Sequence, residues 1–198
     1  MNTPARLAIV ALALAACRSS EPAGESTGEP APAVAESTPE RSNPYPTPMA
    51  PLLFEADPGW VAEKPSSGMR LAQWTLPGEG ADGDASLVIF FFGSGSGGSV
   101  EQNLERWEDQ IEPADGGEAV RTTRGANGFT FHTVETSGRY VAAVFPGSDE
   151  THDEPGWRLV ATVVEGGRGP FYAKLVGPAA TVERWRASYD ALLESMRP

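Results

Sequence analysis

An α+β fold is expected of this chain: a largely antiparallel sheet with a helix on each face, preceded by a disordered tether. Three features lead there. Short apolar runs separated by Gly and Pro recur from residue 69 to residue 176, and short turns between successive strands favour antiparallel pairing. One run, Leu87–Phe92, is apolar at every position, as a strand covered on both faces must be. Two further segments carry apolar residues at helical spacing, and a sheet buried on both sides needs one helix layer per face.

The chain has 198 residues, a formal charge of -12, a single cysteine, 22 Gly and 18 Pro. That is room for one domain with tails. The acidic balance argues against a nucleic-acid partner, because phosphate binding needs Lys and Arg. One cysteine excludes an internal disulfide framework and a zinc–cysteine cluster. Residues 1–16 read as a signal peptide: Arg6 gives a positive start and Leu7 to Leu14 a short apolar run, far below the ~18–20 residues that span a bilayer. The run ends in Leu14-Ala15-Ala16-Cys17. This resembles a bacterial lipobox, in which small side chains precede the cut and the cysteine sulfur takes diacylglycerol. Cys17 is therefore the expected lipidation site. Two or more acyl chains, at about 0.8 kcal/mol per buried methylene, anchor a protein stably. Arg18, rather than an aspartate, follows the cysteine. By similarity to Gram-negative lipoproteins this implies the outer membrane, with the protein lipid-anchored there and facing the periplasm.

Residues 17–48 are expected to form the lipidated cysteine and a disordered tether. From Arg18 to Pro48 there is no hydrophobic period, only Glu21, Glu25, Glu29, Glu36 and Glu40 with seven prolines among Ser, Thr and Ala. Such a stretch cannot bury enough apolar surface to offset its chain entropy. Its reach would be on the order of 30 Å as a coil and ~95 Å fully extended. No proline motif with flanking basic residues marks it as a docking peptide.

Residues 49–198 hold every apolar period and form the expected globular domain. Met69 to Leu76 alternates. Leu87 to Phe92 follows as the doubly covered strand. Phe129, Phe131 and Thr133 alternate with polar residues after Asn127-Gly128, a turn signal. Tyr140 to Phe145, Arg158 to Val164 and Phe171 to Val176 are further strand-like runs. The first helix is expected from about Val100 to Ile111: Ser99 and Gln102 stand where a capping box needs them, Val100, Leu104, Trp107 and Ile111 make the stripe, and Pro113 ends it. The second is expected from about Ala179 to Met196, with Val182, Trp185, Tyr189, Leu192 and Met196 as its stripe.

Asp57-Pro58-Gly59-Trp60 opening the domain, followed by a meander of strands, a mid-chain helix and a long C-terminal helix, resembles the PsbP-like fold. That family includes photosystem accessory proteins and small bacterial lipoproteins. Gly97-Gly98-Ser99-Val100 followed by Asn103-Leu104-Glu105-Arg106-Trp107 is similar to a set of uncharacterised bacterial lipoproteins. The resemblance spans about residues 50–198. It implies a PsbP-like sandwich and a non-enzymatic accessory or binding role, and it brings no agreed catalytic residues.

Gly93-Ser94-Gly95-Ser96-Gly97-Gly98 formally contains a dinucleotide-type glycine spacing. The segment after the first helix, Pro113-Ala114-Asp115-Gly116-Gly117 and then polar residues, offers no buried parallel strand, so the motif lacks its context. A weaker possibility is an anion held by Gly97, Gly98 and Ser99 at the positive end of the helix. The plain alternative is a flexible connector. His132, between Phe131 and Thr133, reads as a surface or cross-strand histidine. His152, within Asp149–Glu154, reads as part of a solvated loop, since the segment lacks the ordered spacing of a calcium site. No serine-hydrolase elbow, zinc-protease helix or phosphate loop is present, and no cofactor is expected. The tryptophans Trp107 and Trp185 lie on core stripes, where packing is the simpler role.

Three functions stay open on the sequence. The first is a membrane-anchored lipoprotein with a non-catalytic binding or accessory domain in the cell envelope, partnered by the membrane and by an envelope protein. The second is a small-anion or small-molecule binder using the Gly93–Ser99 loop. The third is a hydrolase with an unrecognised site. The absence of a visible nucleophile–base pair favours the first.

Overall fold

A computed structural model of the chain describes residues 52–145, 147–167 and 169–197. The expected signal peptide, Cys17 and the tether to residue 48 lie outside the described residues. The elements run β1 Val61–Glu63, β2 Arg70–Leu76, β3 Ala85–Phe91, α1 Val100–Glu108, β4 Ile111–Pro113, β5 Val120–Ala126, β6 Phe129–Tyr140, β7 Glu154–Glu165, β8 Phe171–Pro178 and α2 Ala179–Ser195, with a short 3-10 turn at Ala114–Gly116.

Strand composition sets strand position. β3, most of β8 and the second half of β7 are apolar and buried on both faces, and they sit in the middle of an eight-stranded sheet of order β1-β2-β3-β8-β7-β6-β4, with β5 also paired to β6. The polar β5, exposed or half-exposed throughout, takes an edge. All pairings are antiparallel. Asn127 and Gly128 have φ of 53° and 80°, the backbone of the two-residue hairpin turn that joins β5 to β6.

The period-2 geometry of the strands divides the core in two. Along β7, Val160 and Val164 face one layer, whereas Leu159, Ala161 and Val163 face the other. The first layer is closed by α2, whose Val182, Tyr189, Leu192 and Leu193 are buried against Leu87, Ile89, Phe131 and Leu175. Trp60, Trp74 and Phe54 extend it as edge-to-face aromatic pairs. Burying each such side chain contributes roughly 1.5–3 kcal/mol. Inside this layer the Tyr189 hydroxyl donates to Thr162 Oγ1 at 2.8 Å, and Thr162 and Thr133 hydroxyls lie 2.8 Å apart, so the buried oxygens satisfy one another. The second layer is closed by α1, whose Leu104 and Trp107 pack with Val134, Leu159 and Tyr172. The architecture is the expected antiparallel sheet with a helix on each face.

Two boundaries differ from expectation. α1 stops at Glu108, and Ile111 opens β4 instead of closing the helix stripe; its side chain is buried in the same layer either way. The run from Tyr140 to Phe145 is not a strand of its own. β6 reaches Tyr140 after a register shift between Gly138 and Tyr140, and the chain then leaves the sheet in a loop in which Ala143 bridges to Thr151. Val144 and Phe145 are exposed at its tip, at 44% and 60%. Apolar composition alone could not separate a strand from a loop wall here.

Candidate functional site

The α1 layer does not close completely. Where β3 and β8 pass beside α1, a cavity of about 420 Å³ remains. Its walls are Phe90, Phe92, Trp107, Tyr140 and Tyr172, and Lys174, Arg106 and Gln110 supply its polar groups. That volume is within the ~300–1,000 Å³ of ordinary small-molecule sites.

Each wall residue is placed by a local feature. Phe90 is the penultimate residue of β3, and Phe92 stands just past the strand; their rings lie nearly parallel, with centroids 6.0 Å apart. Tyr172 and Lys174 alternate with the buried Phe171, Ala173 and Leu175, so they face α1 while those face α2. Tyr140 stands past the shift at Gly138, stacked on Trp157 at 5.2 Å and 8°. The His152 ring lies 5.0 Å from Tyr140 on the same loop. α1 contributes Arg106 and Trp107 from its last turn. The turn after α1 is tied to the loop after β6, because Val141 N donates to the Gln110 carbonyl at 2.9 Å. Ala142 and Ala143 complete that side.

Lys174 is the polar centre. Its Nζ donates to Gln110 Oε1 at 2.5 Å and to the Tyr140 hydroxyl at 3.1 Å, and it stands 5.1 Å from the Tyr140 ring centroid. Among the described residues no carboxylate is bonded to it. Burial, with the fields of Arg106 and Arg70 added, pushes its ammonium down to about 7. Burial pushes the Tyr140 hydroxyl up to about 12 and also raises that of Tyr172, so both stay protonated. Arg106 donates to Asn103 Oδ1 at 2.7 Å, and Arg70 donates to Gln73 Oε1 at 2.7 Å with its guanidinium over the Phe90 ring. Arg121, Arg124, Arg139, Arg158, Arg184, Arg186 and Arg197 are each ion-paired. Among the described residues no ion pair includes Lys174, Arg106 or Arg70.

The glycine loop serves this site from behind. Ser99 caps α1: its Oγ accepts from Gln102 N at 3.2 Å, and Gln102 Oε1 accepts from Ser99 N at 3.0 Å. Gly97 and Gly98 have φ of 93° and 81°. A side chain at Gly97 would collide with the Tyr172 hydroxyl, so the loop can lie against the cavity wall only with glycine there. The buried Asn103 donates to the carbonyls of Gly97 and Ser99, both at 2.8 Å, while it holds Arg106. Two of the amides that an anion would use at this turn, those of Ser99 and Gln102, are thus occupied by side chains. The loop fixes the position of Arg106.

Neither His132 nor Trp185 lines the cavity. After α1 the chain enters β4, antiparallel to β6, so the glycine spacing is not in a parallel strand–helix–strand unit. His132 spans the sheet surface, with Nε2 2.8 Å from Glu165 and Nδ1 3.1 Å from Thr123 Oγ1. His152 touches Tyr140, and its neighbour Asp153 pairs with Arg139. Among the described residues no three His, Cys, Asp or Glu gather as metal ligands. Trp107 is packed in the α1 layer, where it also forms part of the cavity wall, and Trp185 donates its indole N–H to the Pro77 carbonyl at 2.9 Å. Lys174, Arg106 and Tyr140 are not among the site residues that the sequence suggests. One signal was present: Lys174 is the only charge in Phe171–Val176, a strand otherwise apolar on both faces.

No protein-family model and no curated protein matches the chain. Among solved structures it is similar to the solution structure of cyanobacterial PsbP (CyanoP) from Synechocystis sp. PCC 6803, at 16% identity over 73% of this chain and 85% of that one, with a TM-score of 0.44.

Proposed function

We propose that this chain is a lipid-anchored, non-catalytic binding module of the cell envelope, and that its domain takes a small molecule into the cavity beside α1. The observation that carries the binding role is the cavity itself: aromatic walls converging on a few fixed polar groups, which is the common make-up of small-molecule sites. A non-catalytic role is supported by the lining. Among the described residues it contains no carboxylate, histidine, serine or cysteine, and the amine of Lys174, the group there with nucleophilic character, is held by Gln110 and Tyr140 with no base beside it. The anchor is supported by Leu14-Ala15-Ala16-Cys17 and by the use of the chain's one cysteine at that position. The Pro- and Glu-rich segment to Pro48 would then hold the domain off the outer-membrane surface, facing the periplasm, within reach of an envelope partner.

Two experiments test this reading. Cys17→Ser should move the protein from the membrane fraction to the soluble fraction; a variant that stays membrane-bound like wild type contradicts the anchor. The mature chain, residues 17–198 with Cys17→Ser, should bind aromatic fluorescent probes saturably at one site. Ala143→Trp, which fills the cavity, should abolish that binding. A chain that binds no such probe contradicts the binding role.

A further inference from the structure

We propose that the ligand of this cavity is a small aromatic oxyanion, a planar apolar body carrying one carboxylate-like group, with Lys174 and Arg106 receiving the charge and the aromatic walls receiving the body. The inference rests on the binding role argued above and specifies its chemistry.

The charge distribution points to an anion. The chain carries a net charge of -12, and most of its described arginines have carboxylate partners. Around the cavity the pattern reverses: Lys174 and Arg106 line it and Arg70 stands over the ring of Phe90, with no ion pair for any of them. Their partners are neutral, Gln110 and Tyr140 for Lys174, Asn103 for Arg106 and Gln73 for Arg70. Such partners orient the donors and leave the charge uncompensated. Placing an ammonium in a largely apolar wall without a counter-ion costs stability. An apolar residue would pack there more cheaply, so the position is built for a negative group that arrives from outside. Charge-assisted hydrogen bonds to that group would be the strong ones in the site.

The walls select the rest of the molecule. Phe90 and Phe92 lie 13° from parallel, and Phe92 approaches Tyr172 with centroids 5.2 Å apart. Flat aromatic surfaces favour a flat apolar body. The faces of these rings are electronegative, which steers the oxyanion away from them and toward the cations.

Two probes that share one body and differ in charge decide the matter. 1-Anilinonaphthalene-8-sulfonate carries a sulfonate, standing in for the oxyanion; N-phenyl-1-naphthylamine is neutral. At pH 6.5 the mature chain should bind the sulfonate at least tenfold more tightly. Lys174→Met should remove most of that advantage and leave the neutral probe within threefold. Lys174→Arg, which keeps the charge, should retain it, and thermal melts confirm that both variants are folded. The sulfonate keeps its charge at all pH values used, so only the protein titrates. Lys174 is faced by Arg106 and Gln110 from α1 and its following turn, Arg70 from β2, Tyr140 from β6 and Tyr172 on its own strand. The dissociation constant for the sulfonate should rise from pH 7 to pH 9 toward tenfold per unit, as the empty site loses its proton near 7, while that of the neutral probe stays flat. His152→Gln, which removes the imidazole beside Tyr140, should leave this profile in place. Equal binding of the two probes overturns the oxyanion while the binding role stands. A preference for the sulfonate that survives Lys174→Met overturns the assignment of Lys174. Failure of both probes to saturate overturns the binding role as well.

Discussion

At Lys174 a single side chain sets stability against function. In the unfolded chain its ammonium keeps a proton up to about 10.4; in the folded protein it does so only to about 7. Between those values the unfolded state binds more protons, so stability rises with pH across that window. The cost of the charge is fully present below pH 7 and fades as Lys174 becomes neutral. Above pH 10 the trend reverses, because the buried Tyr140 and Tyr189 hydroxyls resist ionisation in the folded state while unfolded tyrosines ionise there. We expect urea denaturation to show a gain of about 2 kcal/mol between pH 7 and pH 9. Lys174→Met should be more stable than wild type at pH 7, with that gain lost; an unchanged pH dependence would contradict the burial of an unpaired charge. Lys174 could be seen in the sequence as an odd charge in an apolar strand. That Arg106 and Arg70 join it without carboxylates could not, because pairing depends on which strands are neighbours.

Helix α1 shows which local signals carry over from sequence to structure. Ser99 and Gln102 are three residues apart, and a capping box is a contact within one turn, so spacing alone suffices to place it. The hairpin turn at Asn127-Gly128 is legible for the same reason. Ser99→Ala should cost about 1 kcal/mol in urea denaturation, whereas Ser94→Ala, at an exposed loop position, should change stability little; equal costs would contradict the capping role. The run Tyr140–Phe145 was not legible. Its first residue closes β6, its alanines line a cavity, and Val144 and Phe145 are exposed, three environments behind one apolar pattern. β5 was hidden too, since an exposed edge strand of polar residues carries no hydrophobic period. The link between the glycine loop and the cavity runs through Asn103 and Arg106, a tertiary contact that no spacing encodes.

On the scale of the whole molecule, the sheet separates two tasks. The α2 layer is densely aromatic and aliphatic, with the hydroxyls of Tyr189, Thr162 and Thr133 bonded to one another, and it stabilises the domain. The α1 layer is smaller and left open beside the helix, and it carries the cations. This division was implicit in the sequence only as two helix stripes and a doubly apolar strand; the gap beside α1, walled by residues from β3, β6, β8 and the loop after β6, depends on how those distant segments meet. Where a ligand settles separates a binding layer from a purely structural one. The decisive measurement is a titration of the ¹⁵N-labelled mature chain, carrying Cys17→Ser, with 1-naphthoate, followed by two-dimensional NMR. The amide shifts should saturate together and cluster at Phe90–Phe92, Arg106–Gln110, Tyr140–Ala143 and Tyr172–Lys174. Shifts confined to Ser94–Ser99, or scattered over the surface without saturation, would contradict the cavity as the binding site.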